Sequence, residues 1–406
     1  MKVVQINCVS YGSTGHIARA IHQKAQSEGI ESWVMYGVGP EAEHGCVQIS
    51  NQLDYRFHTY FGRLTGLHGY YSKGVTKNLL RELDEINPDI VHMHNLHGDY
   101  INIGLLFDWL KSRNQTCVFT LHDCWLFTGG CAHFTMAKCH RWLDSCGKCC
   151  QQNVYPKSYL FDTSRKCLKD KKEWFNGLND VHITTVSQWL GLEAKKSYLG
   201  RYPVETIYNG IDTNVFQPIK SNVREKYGIP HASIMVLGVS SIWNDKRKGL
   251  NQFAALREIL PSEYCIVLVG PNEEQKKSMP NGVICISRTE NQKELAELYS
   301  TADVFINVSP EETFGLVTAE ALACGTPAIV STETACPEVI EQKSGIAIDT
   351  LDIKKLSDSV QRICSANFKY IHRNDCIKRI TENFTLKKMT DEYIALYKGI
   401  MMRGNK

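Results

Sequence analysis

The chain has 406 residues, of which 43% are hydrophobic and 22% are charged, and its 46 basic and 43 acidic side chains give a formal charge of +3. This composition excludes disordered, collagenous and coiled-coil proteins, and the length predicts two or three domains. The near-neutral charge does not indicate nucleic acid as a partner, and no apolar run reaches the roughly 18 residues of a membrane span. The first apolar run is too short for a signal peptide, so we expect a cytoplasmic protein.

Short apolar runs alternate with segments of helical period along the first half of the chain. A strand is predicted at 3–7, followed by a Gly-containing turn and a helix over 16–27. Further strands are predicted at 32–37, 89–94 and 116–121. Strands separated by helices of this length predict a parallel sheet with right-handed crossovers.

A second series of the same kind follows a turn-rich passage at 209–218. Its strands are predicted at 234–240, 264–270, 283–286, 303–308 and 328–331. We therefore expect an α/β protein with one doubly wound domain at 1–205 and another at 206–385. In such sheets ligands bind beyond the carboxyl ends of the strands, so the polar residues that follow strands are the candidates for chemistry.

The clearest functional signal is the stretch Ser309–Pro327, whose sequence is SPEETFGLVTAEALACGTP. A strand is predicted to end just before it, and a helix is predicted to begin near Gly315. The free N–H groups of a helix start attract phosphate, and a glycine lets the backbone approach it. Glu312 and Glu320 flank this point and suit hydroxyl groups on either side of a phosphate. Taken alone, the two would more often be a loop carboxylate and a solvated helix residue.

This stretch resembles the signature of the family 4 glycosyltransferases, and the likeness continues in other motifs between residues 85 and 345. These motifs are Thr120–Asp123 (TLHD), Val186-Ser187, Tyr208–Asp212 (YNGID) with Phe216 and Pro218, Lys248-Gly249, and Pro337–Ile340 (PEVI). The closer likeness is to bacterial enzymes of exopolysaccharide and O-antigen assembly, including colanic-acid-type transferases. The resemblance implies the GT-B fold, in which two Rossmann-like domains face an interdomain cleft. It also implies that a C-terminal helix, at 386–406, packs back on the first domain.

The resemblance implies roles for individual residues. Glu312 would contact the transferred sugar, and Glu320 would hold the hydroxyl groups of the donor ribose. Lys248 would offset the charge that builds on the leaving nucleotide diphosphate, the largest electrostatic demand of the reaction. The remaining donor-binding residues that we expect are Gly12, Gly15, Ser241, Arg247, Phe314, Gly315, Leu316 and Val317.

Two of these assignments have open alternatives. The family has an arginine shortly before its phosphate lysine, and here Ser241 stands near that place. Arg247 is the candidate replacement, unless it belongs with Lys248 to a solvated charged loop. The glycines Gly12 and Gly15 have G-x-x-G spacing, which is weak by itself. The family places such a loop in its cleft, whereas the alternative is a tight strand-to-helix turn.

Histidines follow two predicted strands of the first domain. His122 comes after the strand at 116–121, and the resemblance places it beside the donor sugar as a catalytic residue. His94, Asn95 and His97 follow the preceding strand and are predicted to form an acceptor-binding loop. A metal site at these histidines lacks the remaining ligands. A lone histidine in such a place is more often structural.

Sixteen cysteines are present, and many crowd into a Gly- and aromatic-rich insertion predicted at 124–165. The four at Cys131, Cys139, Cys146 and Cys149 include a C-x-x-C pair, which is half of a zinc knuckle. A structural zinc ion is therefore predicted, and the alternatives are free thiols or a redox pair. No D-x-D sequence occurs, so no catalytic metal is expected.

The resemblance therefore implies a retaining glycosyltransferase of bacterial surface polysaccharide synthesis. The expected donor is a nucleotide-diphosphate sugar, and the expected acceptor is a glycan or a polyprenyl-diphosphate-linked saccharide at the inner membrane face. The stretch Tyr55–Lys77 mixes basic and aromatic residues and suits a membrane surface or ordinary packing equally well.

The rival interpretations are an epimerase or phosphorylase of the same architecture, and a non-catalytic zinc-stabilised binding protein. A nicotinamide-dependent dehydrogenase is excluded because G-x-G-x-x-G is absent.

Overall fold

A computed structural model describes residues 1–40, 44–365 and 371–404 of the chain. It divides into two compact units, Met1–Tyr208 with the C-terminal segment from Thr390, and Asn209–Met389. The change of unit after Tyr208 falls in the turn-rich passage. Residues 405 and 406 of the predicted C-terminal segment lie outside the described residues.

The first unit contains a seven-stranded parallel sheet in the order β3-β2-β1-β4-β5-β6-β7. The strands are β1 (Lys2–Val9), β2 (Glu31–Val38), β3 (Cys46–Gln48), β4 (Ile90–Met93), β5 (Thr116–Leu121), β6 (Val181–Thr185) and β7 (Val204–Thr206). The helices are α1 (Gly12–Ser27), α2 (Gln52–Thr65), α3 (Lys73–Ile86), α4 (Ile103–Ser112), α5 (Ser164–Phe175) and α6 (Gln188–Lys196).

The second unit contains a six-stranded parallel sheet in the order β10-β9-β8-β11-β12-β13. The strands are β8 (Ile234–Val239), β9 (Tyr264–Val269), β10 (Val283–Ile286), β11 (Val304–Asn307), β12 (Ala328–Ser331) and β13 (Gly345–Ile348). The helices are α7 (Val223–Tyr227), α8 (Leu250–Ile259), α9 (Glu273–Lys277), α10 (Gln292–Thr301), α11 (Leu316–Ala323), α12 (Cys336–Val339), α13 (Ile353–Cys364) and α14 (Arg373–Asn383). A last helix, α15 (Leu386–Gly404), starts in this unit and belongs to the first unit from Thr390 onward.

The predicted strands are present, and those at 116–121, 283–286 and 328–331 agree at both ends. Four strands were not predicted: β3, β6, β7 and β13. β3 and β7 have only three residues each, too few to show a period, and they occupy the two edges of their sheet. A short strand becomes recognisable only when its neighbour supplies hydrogen-bond partners.

The central strands of each sheet are buried on both faces, as is typical of parallel sheets. Val3, Val4 and Ile6 of β1 are fully buried in the first unit. In the second unit the core is built on residues such as Ile266 and Ile306, which pack with apolar side chains of α8 and α13. The strand order reverses between β1 and β4 and again between β8 and β11, so the loops after these four strands are where a ligand is expected.

The C-terminal helix α15 is tied to the first sheet by buried tyrosines. Tyr397 is fully buried, and its hydroxyl lies 2.6 Å from Nδ1 of His92 on β4. Tyr393 is 1% exposed, with its hydroxyl 3.0 Å from Oγ1 of Thr120 on β5. Within the described residues, no helix combines the length and apolarity needed to cross a lipid bilayer.

Candidate active site

In the second unit, the loops after β8 and β11 bring together an amine and a carboxylate. Lys248 ends a short 3-10 helix, Lys246–Lys248, and Glu312 lies in the loop after β11. The Nζ atom of Lys248 is 2.5 Å from Oε1 of Glu312, and the two side chains are 20% and 16% exposed. Because β8 and β11 are neighbours in the sheet, residues 64 positions apart meet at its carboxyl edge.

The start of α11 lies directly after this pair. Gly315 caps the helix with a φ of 96°, a left-handed conformation that favours glycine. A Cβ at Gly315 would meet no atom closer than 3.6 Å, so the conformation rather than crowding calls for glycine. The first N–H groups of the helix, at Leu316 and Val317, have no carbonyl partner within it. These are the N–H groups that the sequence predicts to bind a phosphate.

The loop before α11 is held rigidly. The N–H of Glu312 donates to Oγ1 of Thr334, and the N–H of Ala335 donates to the carbonyl of Glu312, at 3.1 and 3.2 Å. Phe314 was expected to bind the donor, but its ring is 2% exposed and packs edge-on against Phe384. Phe314 can therefore reach a ligand only through its backbone.

Glu320 lies farther along α11 in an environment that favours its protonated form. Burial raises the pKa of Glu320 to about 7, although a hydrogen bond from Tyr299 works in the opposite direction. The Tyr299 hydroxyl donates to Oε2 of Glu320 at 3.0 Å from the buried face of α10. Sequence reasoning missed Tyr299, because at its position the helical period indicates only a core residue.

Arg247, the candidate replacement for the family arginine, already contacts acidic side chains of its own unit. Its guanidinium donates to Asp245, with Nη2 2.6 Å from Oδ2, and its Nε lies 4.0 Å from Oε2 of Glu311. Ser241 is exposed in the loop after β8. A phosphate near Lys248 would have to compete with Asp245 for Arg247.

In the first unit, histidines after β4 and β5 form a hydrogen-bonded chain. Nε2 of Gln5 donates to the carbonyl of Ala18, so its Oε1 faces Nε2 of His94 at 3.0 Å and accepts a hydrogen bond from the N–H there. Burial lowers the pKa of His94 well below its ordinary value and that of His122 to about 4, so both rings are neutral at pH 7. His94 therefore accepts at Nδ1 from Nε2 of His122, 3.0 Å away. This leaves Nδ1 as the acceptor atom of His122.

The predicted acceptor loop is only partly available to a ligand. His94 and His97 are each 5% exposed, whereas Asn95 is not fully buried. Nε2 of His97 lies 2.8 Å from Oδ2 of Asp123. Burial alone would raise the pKa of Asp123, but His97 lowers it to about 2. His94 and His97 thus make their hydrogen bonds to neighbouring side chains of the protein. Asp123, the partner of His97, is a polar residue of this region that sequence reasoning did not select.

The two glycines of the first loop serve different purposes. Helix α1 begins at Gly12, earlier than the predicted 16, so the G-x-x-G segment is its first turn. A Cβ on Gly15 would lie 2.5 Å from the carbonyl carbon of Ser10, which means that helix and strand touch there. Gly12 has a φ of 65° and open space around it, so only Gly12 is exposed to a ligand.

The four cysteines selected from the sequence lie around one cavity of the first unit. Its lining includes Cys131, Cys139, Cys146 and Cys149, and all are free thiols. As placed, no three or more of the described His, Cys, Asp and Glu side chains form a set that could hold a metal ion. The thiols are thus gathered without forming a closed coordination sphere.

Comparison with known proteins gives consistent matches over most of the chain. Residues 17–215 match the family described as Glycosyltransferase Family 4, and residues 233–366 match the one described as Glycosyl transferases group 1. The chain is 24% identical over 420 residues to the putative colanic acid biosynthesis glycosyl transferase WcaC of Escherichia coli K12, covering 98% of this chain and 100% of that protein.

Solved structures show the same fold at low sequence identity. Sucrose-phosphate synthase from Thermosynechococcus elongatus superposes with a TM-score of 0.73 and 16% identity over 99% of this chain and 100% of that one. Anabaena Alr3699/HepE, in complex with UDP-glucose, gives a TM-score of 0.69 and 14% identity over 98% of this chain and 100% of that one. Together with the two parallel sheets, these likenesses confirm the predicted GT-B fold with its two Rossmann-like domains.

Proposed function

The chain belongs to the family 4 glycosyltransferases, and on this premise we propose that it is a retaining sugar transferase. It moves a sugar from a nucleotide-diphosphate sugar to a hydroxyl group of a glycan, and it acts in bacterial surface polysaccharide synthesis. The observation that carries the proposal is the Lys248–Glu312 pair beside the start of α11. It supplies a cation, a carboxylate and free N–H groups at one strand edge, which are the groups that a sugar diphosphate requires.

The donor diphosphate lies against the N–H groups of Gly315, Leu316 and Val317, with Lys248 as its cation. When it binds, Lys248 turns from Glu312 to a phosphate oxygen, and the released carboxylate accepts hydrogen bonds from hydroxyl groups of the sugar. The resting ion pair thus keeps both side chains in place and spares each the cost of an unpaired charge in a half-buried site.

The nucleoside is held farther along α11. Glu320 accepts hydrogen bonds from the two ribose hydroxyls when it is ionised, and Tyr299 orients the carboxylate from behind. Binding a nucleoside diphosphate therefore favours the ionised form of a group whose pKa burial has raised to about 7.

Retention is explained by attack on the same face from which the diphosphate leaves. The acceptor oxygen forms its bond to the anomeric carbon, the bond to the phosphate oxygen breaks, and the acceptor proton passes to that leaving oxygen. Lys248 stabilises the charge that develops there. In the loaded site the oxygen atoms of Glu312 accept hydrogen bonds from hydroxyl groups of the sugar, and this use of the carboxylate favours the direct route over a covalent intermediate.

His122 contributes as a neutral hydrogen-bond acceptor. Its Nε2–H is committed to His94, which in turn is committed to Gln5. The family resemblance gives His122 the role of binding the donor sugar, and Nδ1 is the atom that would accept a hydrogen bond from a sugar hydroxyl in that role. In this assignment His94 is a positioning residue, and His97 with Asp123 and Asn95 borders the acceptor. No catalytic metal is required.

Nucleotide binding tests the donor assignment. The Anabaena protein was solved with UDP-glucose, which makes UDP the first probe, followed by GDP, ADP and dTDP, with the thermal stability of the protein as readout. A bound ligand at 100 times its Kd adds about 2.7 kcal/mol to the unfolding free energy. One diphosphate should stabilise the wild type and have little effect on Glu320→Gln.

The pH dependence of nucleotide binding tests whether ionisation of Glu320 increases the affinity. Raising the pH from 6 to 8 ionises a carboxyl whose pKa is about 7, so the affinity of the wild type should rise about tenfold. Glu320→Gln should lack that increase, while Glu258→Gln, on the exposed side of α8, should behave as wild type. Equal binding by wild type and Glu320→Gln would contradict the ribose assignment, and no stabilisation by any nucleotide would contradict the donor site.

A lipid-linked acceptor at the cytoplasmic membrane face is supported by one exposed surface of the first unit. Leu53, Phe57 and Tyr60 lie on the outer side of α2 and are 79%, 53% and 64% exposed. Leu160 continues the stripe, because its N–H donates to the carbonyl of Leu64 near the end of α2. Apolar side chains on the outer side of a helix that also carries arginines are typical of contact with an anionic bilayer.

Flotation with vesicles that contain anionic phospholipid tests this contact. The double variant Phe57→Ser, Leu160→Ser should lose most of the vesicle-bound fraction. The control Leu192→Ser removes an equally exposed leucine on α6 and should leave binding unchanged. If the wild type fails to float with vesicles, the membrane proposal is wrong, while the nucleotide-binding test above is unaffected.

A further inference from the structure

The Cys-rich loop of the first unit has no part in the proposed sugar transfer, yet it is built around four converging thiols. Cys131, Cys139, Cys146 and Cys149 line one cavity. Burial raises the pKa values of Cys131, Cys146 and Cys149, so these thiols are protonated at neutral pH in the absence of a metal ion. Cys150 also lines this cavity but is exposed, whereas the other four cysteines are partly buried.

The C-x-x-C turn is held by specific hydrogen bonds. The N–H of Cys149 donates to Oδ2 of Asp162 at 2.8 Å, and the N–H of Gly147 donates to Oγ of Ser164 at 3.0 Å. The Arg141 guanidinium donates to the carbonyl groups of Gly147 and Lys148. The turn is thus fixed from outside, so that the side chains of its two cysteines are turned into the cavity.

The backbone of this turn is also unusual. Cys146 and Lys148 have φ values of 51° and 49°, and Gly147 between them has 94°. Residues other than glycine rarely adopt the left-handed region, and two of them flank the glycine here. Such a turn persists only where other interactions outweigh the strain.

A buried cation lies under the thiols. Lys171 on α5 is 1% exposed, and its Nζ donates to the carbonyls of Trp125 and Thr128 at 2.6 and 3.1 Å. The same atom lies 3.3 Å from the centre of the Trp125 ring. These hydrogen-bonding and ring partners are uncharged. Burial lowers the pKa of Lys171 to about 8, while negative charge at Cys167, Cys131, Cys146 or Asp123 favours the charged amine. A buried ammonium group calls for nearby negative charge.

From these observations we propose that Cys131, Cys139, Cys146 and Cys149 bind one structural Zn²⁺, with Lys171 as the compensating cation. Four thiols lose their protons when they bind the ion, giving a complex with a net charge of about −2. Because the thiols are not already a closed set of ligands, the ion draws them together as it binds. With four protein ligands no position is left for catalysis, so the role of the ion is to order the loop.

The proposal predicts about one zinc per chain in protein purified without chelators, measured by elemental analysis. Replacing Zn²⁺ by Co²⁺ should give the charge-transfer absorption of a tetrahedral thiolate complex, a readout that does not depend on activity. Cys146→Ser and Cys149→Ser should each lose most of the bound metal. Cys150→Ser, next in sequence, and Cys285→Ser, in the second unit, should retain it.

Other outcomes would overturn the proposal. A metal-free wild type whose mass is two hydrogens lower under non-reducing conditions would mean a disulfide. A metal-free wild type with all thiols reduced would mean a purely structural loop. Retention of the ion in Cys149→Ser with loss in Cys150→Ser would mean that the ligand set is wrong. If a variant fails to fold, the cobalt-loaded wild type is measured after mild chelation instead. It should lose the cobalt spectrum and retain nucleotide binding.

Discussion

Replacing Lys248 with methionine should lower kcat about 10²–10³-fold, because the variant loses the charge that stabilises the leaving diphosphate in the transition state. The methionine retains much of the aliphatic bulk of lysine, so the half-buried site stays filled. The measurement is the release of nucleoside diphosphate in the presence of donor and acceptor. KM for the donor should rise less than kcat falls, since the charge on the leaving oxygens grows as the bond breaks.

Two variants make this result specific. Lys246→Met changes an exposed lysine of the same short 3-10 helix and should keep nearly wild-type activity. Glu312→Gln removes the other half of the pair, and the double variant with Lys248→Met should cost less than the sum of the two single changes. Additive effects would mean that the 2.5 Å contact has no part in catalysis. Full activity in Lys248→Met would overturn the assignment of the leaving-group cation.

Replacing Tyr397 with alanine should destabilise the first unit by about 3–5 kcal/mol, because it empties a fully buried aromatic site between α15 and the sheet. The unfolding free energy is measured by chemical denaturation. Tyr397→Phe keeps the ring and removes only the hydroxyl that meets Nδ1 of His92 at 2.6 Å. That variant should cost about 1–3 kcal/mol, the penalty for leaving a buried polar atom without its partner.

The matched control is Met402→Ala in the same helix, where the side chain is 70% exposed. Its effect should stay within about 0.5 kcal/mol. If Tyr397→Ala is as mild as Met402→Ala, then α15 contributes little to the first unit. If Tyr397→Phe costs as much as Tyr397→Ala, the hydroxyl rather than the ring anchors the helix.

The sequence alone was sufficient to predict two doubly wound domains, because runs of apolar residues alternate with helical periods over most of the chain. A strand end, a loop carboxylate and a helix start are local features that made Glu312 and Gly315 candidates, and the family resemblance added Lys248. The sequence could not predict strands as short as β3 or the role of Tyr299, because neither has a local pattern distinct from a turn or an ordinary core position.

Only the tertiary structure decided which of the selected residues act together. The order of strands in each sheet brings Lys248 to Glu312 and His122 to His94, and that order is not written in any local period. Packing decided that Phe314 and Gly15 serve the fold, that Arg247 pairs with Asp245, and that Tyr397 meets His92 across 305 positions of sequence. The physical reason is that local sequence controls backbone conformation and the burial of one face, whereas contacts between distant residues depend on how complete elements pack.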